Sequence, residues 1–97
     1  MTRWLRALPP RLRRHDVEAA YLFGSHARGD ADAHSDVDLI VVARSDRPFV
    51  DRFKDYADLL DAPGGLDLLV YTPDEFARER RVNRFVRHAL REARRVV

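Results

Sequence analysis

A Gly-Ser pair, followed after ten residues by an Asp-x-Asp pair, constrains the fold of this chain more than any other feature. Gly24-Ser25 comes directly after one apolar segment, and Asp36 and Asp38 open another. Because side chains alternate between the two faces of a strand, residues two apart point the same way. We therefore predict that Asp36 and Asp38 project together at one edge of a sheet, close to the Gly-Ser turn.

The turn and the two carboxylates supply complementary halves of a nucleotide site. Two carboxylates held this close repel each other unless a cation lies between them. Mg²⁺ is usually held by one or two carboxylates together with phosphates of the substrate, and a Gly-Ser turn that opens a helix offers N–H groups to those phosphates. The pattern predicts nucleotidyl transfer. The alternatives are an ordinary helix N-terminus at the turn and a capping or salt-bridged pair of acids.

Charge is segregated along the 97 residues, although the net charge is only +2. Residues 1–23 carry +3, residues 24–67 carry −5 and residues 68–97 carry +4. The acidic middle contains the predicted metal ligands, and the basic ends suit an acidic partner, a nucleic acid or the triphosphate of a substrate. A solvated Arg-rich helix with local ion pairs explains the basic C-terminal part equally well.

Length and composition exclude several classes of protein. The length predicts a single domain, residues 1–97, and the absence of Cys excludes disulfides and thiolate metal sites. No apolar run approaches the ~20 residues of a membrane helix, and the first residues lack the apolar centre of a signal peptide. We expect a cytoplasmic protein without membrane contact; its oligomeric state stays open.

Apolar periodicity predicts an α/β fold: a small mixed sheet of three strands, or four, with flanking helices. The predicted strands are 17–23, 36–43 and 66–71. The first predicted helix is a short one, or two pieces, around Pro9-Pro10, and it ends near Arg14. A second short helix is predicted at 24–29, and a third begins at Pro48 with Phe49, Phe53, Tyr56 and Leu60 on its apolar face. The C-terminal helix begins at a Thr72 capping box and is divided at Asn83.

Asp67 is a single acid in the otherwise apolar third strand. Burying an isolated carboxylate is costly, so Asp67 requires a partner, a metal or a water-filled cleft. If the third strand lies beside the second, Asp67 faces the same cleft as Asp36 and Asp38, and the three acids would hold two Mg²⁺ ions. Asp67 would then also be the base for the attacking hydroxyl. The alternative is a strand Asp paired with an Arg.

Four segments carry a resemblance to a known family: Y-L-F-G-S at 21–25, D-V-D-L at 36–39, L-D-L-L-V at 66–70 and T-P-D-E-F at 72–76. Over nearly its whole length the chain resembles a minimal nucleotidyltransferase of the DNA polymerase beta-like superfamily, and the spacing from Gly-Ser to D-x-D is met without insertion. The resemblance implies the minimal nucleotidyltransferase fold, ATP as substrate and Mg²⁺ as cofactor. It implies these site residues: Asp36, Asp38 and Asp67 as metal ligands and catalytic residues, and Gly24, Ser25 and Arg28 as nucleotide contacts.

Two other residues of the turn are less tightly constrained. The guanidinium of Arg28 matches both phosphate and carboxylate, so Arg28 either contacts the triphosphate or braces the acidic cluster. His26 fills the variable position of the motif, and we expect it to be a partly exposed spacer.

The resemblance also implies a partner. Family members of this size are often antitoxins of a HEPN-domain ribonuclease toxin, and some transfer AMP from ATP to a tyrosine of that toxin. Larger relatives carry an extra acceptor domain, for which this chain has no room, so we expect a cognate HEPN toxin as acceptor. Two alternatives stay open: a non-catalytic antitoxin that acts by complex formation with vestigial nucleotide binding, and an Arg-rich nucleic-acid-binding module. The nucleic-acid-binding module is disfavoured because no aromatic residues interleave with the basic ones.

Overall fold

The computed structural model describes residues 2–97 of the chain. The alternation of strands and helices confirms the α/β prediction, and no helix in residues 2–97 is both long and apolar enough to cross a membrane. The elements in chain order are α1 (Thr2–Arg13), β1 (Ala19–Phe23), α2 (Ser25–Arg28), β2 (Val37–Val42), a 3₁₀ segment (Phe49–Leu59), β3 (Leu66–Tyr71), α3 (Pro73–Val82), α4 (Arg84–Glu92) and β4 (Arg94–Arg95).

The strands form a mixed four-stranded sheet in the order β3-β2-β1-β4. Strand β1 is antiparallel to both β2 and β4, whereas β2 and β3 are parallel. Strand β2 pairs on both sides, and every residue in it except Asp38 is buried, as its apolar run predicts. Because β2 and β3 are parallel, their N-terminal ends lie at the same end of the sheet, beside the C-terminal end of β1.

Helical layers cover both faces of the sheet. On one face α1 and the 3₁₀ segment pack through Leu8, Leu12 and Leu59, which are fully buried. On the other face α3 and α4 pack through Phe76 and Val86. Burying one large apolar side chain contributes about 1.5–3 kcal/mol, so the two layers hold the ends of the strands in fixed relation.

Capping chemistry sets the start of both C-terminal helices. Thr72 Oγ1 accepts a hydrogen bond from the Glu75 N–H at 3.3 Å, and the Thr72 N–H donates to Glu75 Oε1 at 2.9 Å, which makes the predicted capping box. Asn83 ends α3 and begins α4, where its Oδ1 accepts from the Val86 N–H at 3.2 Å. The predicted division at Asn83 is confirmed.

Helix α1 is continuous through Pro9 and Pro10 and ends at Arg13, so of the two predicted alternatives the single helix is confirmed. Pro9 is half-buried and Pro10 exposed, while Leu8 and Leu12, one turn apart, are fully buried. Packing on the sheet therefore offsets the helical hydrogen bonds that the prolines cannot donate.

The segment predicted as a helix from Pro48 is a 3₁₀ segment with a non-helical residue, Tyr56, inside it. Phe49, Phe53 and Leu60, predicted on its buried face, are 41%, 43% and 52% exposed. A 3₁₀-helix has three residues per turn, so a step of four residues leaves the face that a step of three keeps, and only Tyr56 of the predicted four is buried.

The C-terminal helix ends at Glu92, earlier than predicted, and the chain continues as β4 along the outer edge of β1. The Val96 N–H donates to the Ala20 carbonyl at 2.9 Å, and Val96 and Val97 pack on the core. Tertiary pairing thus replaces the last helical turn.

Candidate active site

Gly24 shapes the turn between β1 and α2. Its φ of 75° and ψ of −154° belong to a region that is essentially closed to other residues. A Cβ at this position would lie 2.1 Å from Oδ2 of Asp38, so the turn touches the carboxylate directly. The N–H groups of Ser25 and His26 are the first of α2, where a helix offers no acceptor of its own. This is the donor arrangement that a phosphate requires.

Strand register brings the three predicted acids to one end of the sheet. Asp38 is the register partner of Phe23 on β1 and of Asp67 on β3. Neighbouring strands lie about 4.8 Å apart, so Asp38 and Asp67 are nearest neighbours across the sheet. Asp36 directly precedes β2, two residues before Asp38, and strand alternation gives it the same side. The structure therefore groups the three acids, while their chemical roles stay predictions.

The acids lie on the sheet face that α3 and α4 cover. Asp38 shares its face with Ile40 and Val42, which pack in the cluster formed with these two helices. At the end of the same row, Phe85 of α4 contacts Phe23 edge-on, with ring centroids 5.8 Å apart. The site is an open shelf at the end of the sheet, bordered by the Phe23–Phe85 pair.

The negative charges of Asp67 and Asp36 act on the Asp38 carboxyl group. The pKa of Asp38 is raised above its ordinary value of 3.8, first by burial and then by the negative charges of Asp67 and Asp36. His26 and Arg28 oppose this shift of the Asp38 pKa only partly. The charges of Asp67 and Asp36 therefore oppose ionisation of Asp38, and a cation beside these carboxylates would relieve that repulsion.

Asp67 is exposed, which agrees with the solvent-filled cleft among the environments that the sequence predicts for it. Strand β3 is an edge strand of the sheet, with a neighbour on only one side within residues 2–97. Solvent therefore reaches the Asp67 carboxylate, which avoids the cost of burying an isolated charge. Asp36 is also exposed and Asp38 half-buried, so the site is open to a large acceptor.

The carboxylates of the site fit a magnesium ion in the chemistry of their oxygen ligands. Three carboxylates supply the oxygen ligands that Mg²⁺ prefers. Among residues 2–97, no three acidic or His side chains already stand close enough to enclose an ion by themselves. This agrees with a Mg²⁺ site in which one or two carboxylates bind and substrate phosphates complete the coordination.

His26 braces the loop that leads to Asp36, and the prediction that it is a partly exposed spacer is wrong. Its side chain is buried, at 9% exposure, and its Nε2 lies 3.3 Å from the Ser35 carbonyl. The Asp32 N–H donates to the Ser35 hydroxyl at 3.0 Å and this hydroxyl donates to Asp32 Oδ1 at 3.2 Å, which closes the same loop. The sequence gives no signal for this role, because the contact joins α2 to a loop that has no periodic pattern.

Two consecutive glycines, Gly64 and Gly65, lie in close contact with the loop segment Ser35-Asp36. A Cβ at Gly64 would lie 2.4 Å from the Ser35 carbonyl oxygen, and one at Gly65 would lie 2.9 Å from Oδ1 of Asp36. The Gly65 carbonyl also accepts a hydrogen bond from the Val37 N–H at 2.9 Å. Both glycines have positive φ, 85° and 104°. From the sequence these glycines are predicted only to form a turn. In the structure they leave the space that the Ser35 carbonyl and the Asp36 carboxylate occupy.

Arg28 points from α2 towards α4. Its guanidinium pairs with Asp30 at 3.2 Å and with Glu92 at 3.0 Å, and its side chain is 46% exposed. The hydrogen bond to Asp30, followed by the charges of Asp30 and Glu92, raises the pKa of Arg28. Arg28 thus braces the turn against α4 while its charge still acts on Asp38; contact with a triphosphate stays a prediction.

Comparison with known proteins agrees with this fold. A presumed nucleotidyltransferase from Sulfolobus solfataricus superposes with a TM-score of 0.58 at 25% identity, over 79% of this chain and 74% of that chain. A toxin-antitoxin structure with AMP-PNP superposes with a TM-score of 0.61 at 18% identity, over 96% of this chain and 72% of that chain. Curated protein sequences give no significant match.

A family model identifies the chain more directly. The model for polymerase beta nucleotidyltransferases matches residues 8–80. The matched region contains the Gly24-Ser25 turn and all three acids, Asp36, Asp38 and Asp67. Since this region is most of the chain, the protein belongs to the polymerase beta nucleotidyltransferase family.

Proposed function

We propose that this protein transfers AMP from ATP to a hydroxyl group of a partner protein, as the antitoxin of a toxin-antitoxin pair. The observation that carries the proposal is the contiguous row of the Gly24 turn, Asp38 and Asp67. The turn contacts Asp38, and Asp38 is the direct register partner of Asp67. A phosphate-binding turn beside paired acids is the arrangement that nucleotidyl transfer needs.

Each part of the row has a separate role in the transfer. The N–H groups at the start of α2 and the Ser25 hydroxyl bind the triphosphate, and Arg28 adds positive charge beside them. Asp36 and Asp38 hold the Mg²⁺, which when bound neutralises the charge of the phosphates. Asp67, exposed at the edge, accepts the proton of the acceptor hydroxyl. The acceptor oxygen forms a bond to the α-phosphorus, the α–β phosphoanhydride bond breaks, and pyrophosphate leaves.

A protein acceptor is supported by two observations. The shelf is open to solvent and is lined by exposed Asp36 and Asp67, so it accommodates a side chain presented by a large molecule. The toxin-antitoxin structure that shares this fold was solved with AMP-PNP, a non-hydrolysable analogue of ATP. From the resemblance to minimal nucleotidyltransferases we further propose that the acceptor is a cognate HEPN-type toxin and that the hydroxyl is that of a tyrosine.

The test is transfer of label within a purified complex. The protein is co-purified with its candidate toxin and incubated with Mg²⁺ and ATP labelled at the α-phosphate. We expect label on the toxin with the wild type and none with Asp36→Ala/Asp38→Ala. The matched control is Asp46→Ala/Asp74→Ala, which removes two exposed acids outside the site and should transfer normally. A tight complex that gains no label with any variant would instead support an antitoxin that acts by binding alone.

A further inference from the structure

Edge strand β3 has an alternating pattern of inward and outward backbone groups. The Val37 N–H donates to the Gly65 carbonyl and the Ala43 N–H donates to the Tyr71 carbonyl, both at 2.9 Å. In a parallel pair, alternate residues of a strand direct both N–H and C=O towards the neighbour. Odd-numbered residues of β3 therefore bond to β2. Residues Leu66, Leu68 and Val70 direct their N–H and C=O groups outward.

One half of this outer edge is closed by the protein itself. Arg52 of the 3₁₀ segment is buried, at 6% exposure, and its Nη1 donates to the Val70 carbonyl at 3.0 Å. The same guanidinium donates to Glu75 Oε2 at 3.1 Å and to the Arg47 carbonyl at 3.0 Å. Arg52 thus covers the C-terminal half of the β3 edge and fixes it to α3.

In the described part of the chain, the other half of the β3 edge is not capped by a side chain in this way. Within residues 2–97, the outward N–H and C=O groups of Leu66 and Leu68 have no hydrogen-bond partner. Both side chains pack on the core, so the strand is held in place although its edge is bare. The residue between them is Asp67, whose carboxylate belongs to the candidate active site.

We propose that this half-edge is the docking site of the acceptor, which adds an extended segment to the sheet as a strand next to β3. The proposal rests on the proposed function, because it identifies how the acceptor of that reaction is presented. Outward N–H and C=O groups on alternate residues are matched by the backbone of another strand. An exposed edge with regular unpaired groups therefore favours a polypeptide over a nucleic acid or a small molecule.

Strand addition also explains how a hydroxyl reaches the phosphate. The added strand would lie about 4.8 Å from β3, and its residue opposite Asp67 would project to the same sheet face. The proton acceptor would then be directly beside the incoming side chain, while the α-phosphate, bound near Asp38, would be one strand further on. A side chain must span that distance, which selects a long hydroxyl side chain such as tyrosine over serine.

The test removes one outward N–H group without disturbing the ladder to β2. Leu68→Pro deletes an N–H that β2 does not use, and proline is tolerated on edge strands. Leu68→Ala is the matched control, because it loses the side-chain packing but keeps the N–H. We expect Leu68→Pro to bind the toxin about tenfold more weakly than Leu68→Ala, and to transfer AMP to it about tenfold less efficiently. The reason is the loss of one backbone hydrogen bond together with the steric block by the proline ring. Both variants should bind Mg²⁺ and AMP-PNP like the wild type. Equal toxin binding and transfer by the two variants would overturn the proposal.

Hydrogen–deuterium exchange tests the same edge in the wild-type protein. The amides of Leu66 and Leu68 should exchange rapidly in the isolated protein and become protected in the toxin complex. A complex that forms and leaves both amides unprotected overturns the edge proposal, even if AMP is transferred. Protection of both amides without any AMP transfer would support docking at β3 and contradict the proposed function. The experiment therefore distinguishes failure of the docking proposal from failure of the proposed function. Concentration-dependent protection of the isolated protein would assign the edge to a second copy of this chain and also overturn the proposal.

Discussion

Asp38 and Asp67 are direct register partners across the parallel strands β2 and β3, although they are far apart in the sequence. The negative charge of Asp67 raises the pKa of Asp38 more than any other charged residue does, although burial raises it further. The crossover through the 3₁₀ segment creates this contact. Metal binding and sheet topology are therefore linked in this protein: any shift in the β2–β3 register would separate the two acids.

Asp38→Asn should abolish transfer and leave the fold intact or slightly more stable. Burial and the neighbouring acids raise the Asp38 pKa above its ordinary value of 3.8, so the charged form costs stability once the pH rises through that value. Loss of a metal ligand should lower kcat roughly a hundredfold or more. Thermal unfolding without Mg²⁺ should show an equal or higher Tm for Asp38→Asn at pH 7, and the difference should vanish below about pH 3.8. A Tm well below that of the wild type would contradict the electrostatic explanation.

Gly65→Ala should weaken Mg²⁺-dependent nucleotide binding about tenfold, since a Cβ would lie 2.9 Å from Oδ1 of Asp36. Gly29→Ala is the control: Gly29 also has positive φ, 86°, but a Cβ there would meet nothing within 4 Å. Both variants should lose about 1–2 kcal/mol of stability from the left-handed backbone. AMP-PNP titrations at several Mg²⁺ concentrations separate the effects, because only Gly65→Ala should shift the Mg²⁺ dependence. A similar shift in Gly29→Ala would show that backbone strain alone is responsible.

Arg28→Ala should raise the Kd for Mg²⁺ and ATP about tenfold, because a charged hydrogen-bond donor to phosphate is lost. The unfolding midpoint should change little, since exposed ion pairs contribute only about 0–1 kcal/mol. Glu92→Gln breaks the same ion pair between α2 and α4 but keeps the guanidinium. Calorimetric titration should therefore find near-normal nucleotide affinity for Glu92→Gln. Equal weakening in both variants would assign Arg28 a purely structural role.

Acidic pH should lower the free energy of unfolding, because protonation of Glu75 breaks its ion pair with Arg52. The hydrogen bond from Arg52 lowers the pKa of Glu75 from 4.5 to about 2. A depressed folded-state pKa means that the stabilisation is complete above about pH 4.5 and is lost as the pH falls towards 2. Urea unfolding of the wild type and of Glu75→Gln across this range should show a smaller loss of stability for the variant. Parallel losses would place the acid sensitivity in other carboxylates.

Local chemistry accounts for the parts of the fold that the sequence predicts well. Strand β1 is a continuous apolar run and β2 is apolar at every position except Asp38. The Thr72 capping box and the Asn83 boundary depend on residues within one turn of each other. The motif spacing predicts that the Gly24-Ser25 turn lies close to the Asp36–Asp38 pair, and the structure places Gly24 directly against Asp38.

Tertiary structure decides the parts that the sequence predicts poorly. The run Leu66–Tyr71 is apolar enough for a buried strand, but its position at the sheet edge exposes Asp67. Strand β4 is too short for any periodicity and exists because β1 offers it an open edge. His26 is buried because its imidazole reaches Ser35 on another loop. In each case the determining neighbour is distant along the chain.

The two edges of the sheet differ in their protection against aggregation. The outer edge of β1 is covered by β4, whose Arg94 and Arg95 are charged and exposed, and such edges resist pairing with other chains. The bare backbone at Leu66 and Leu68 has no such protection and is a template for unfolded or partly folded chains. We expect the isolated protein to lose solubility first through this strand, so that a bound partner would also act as its chaperone.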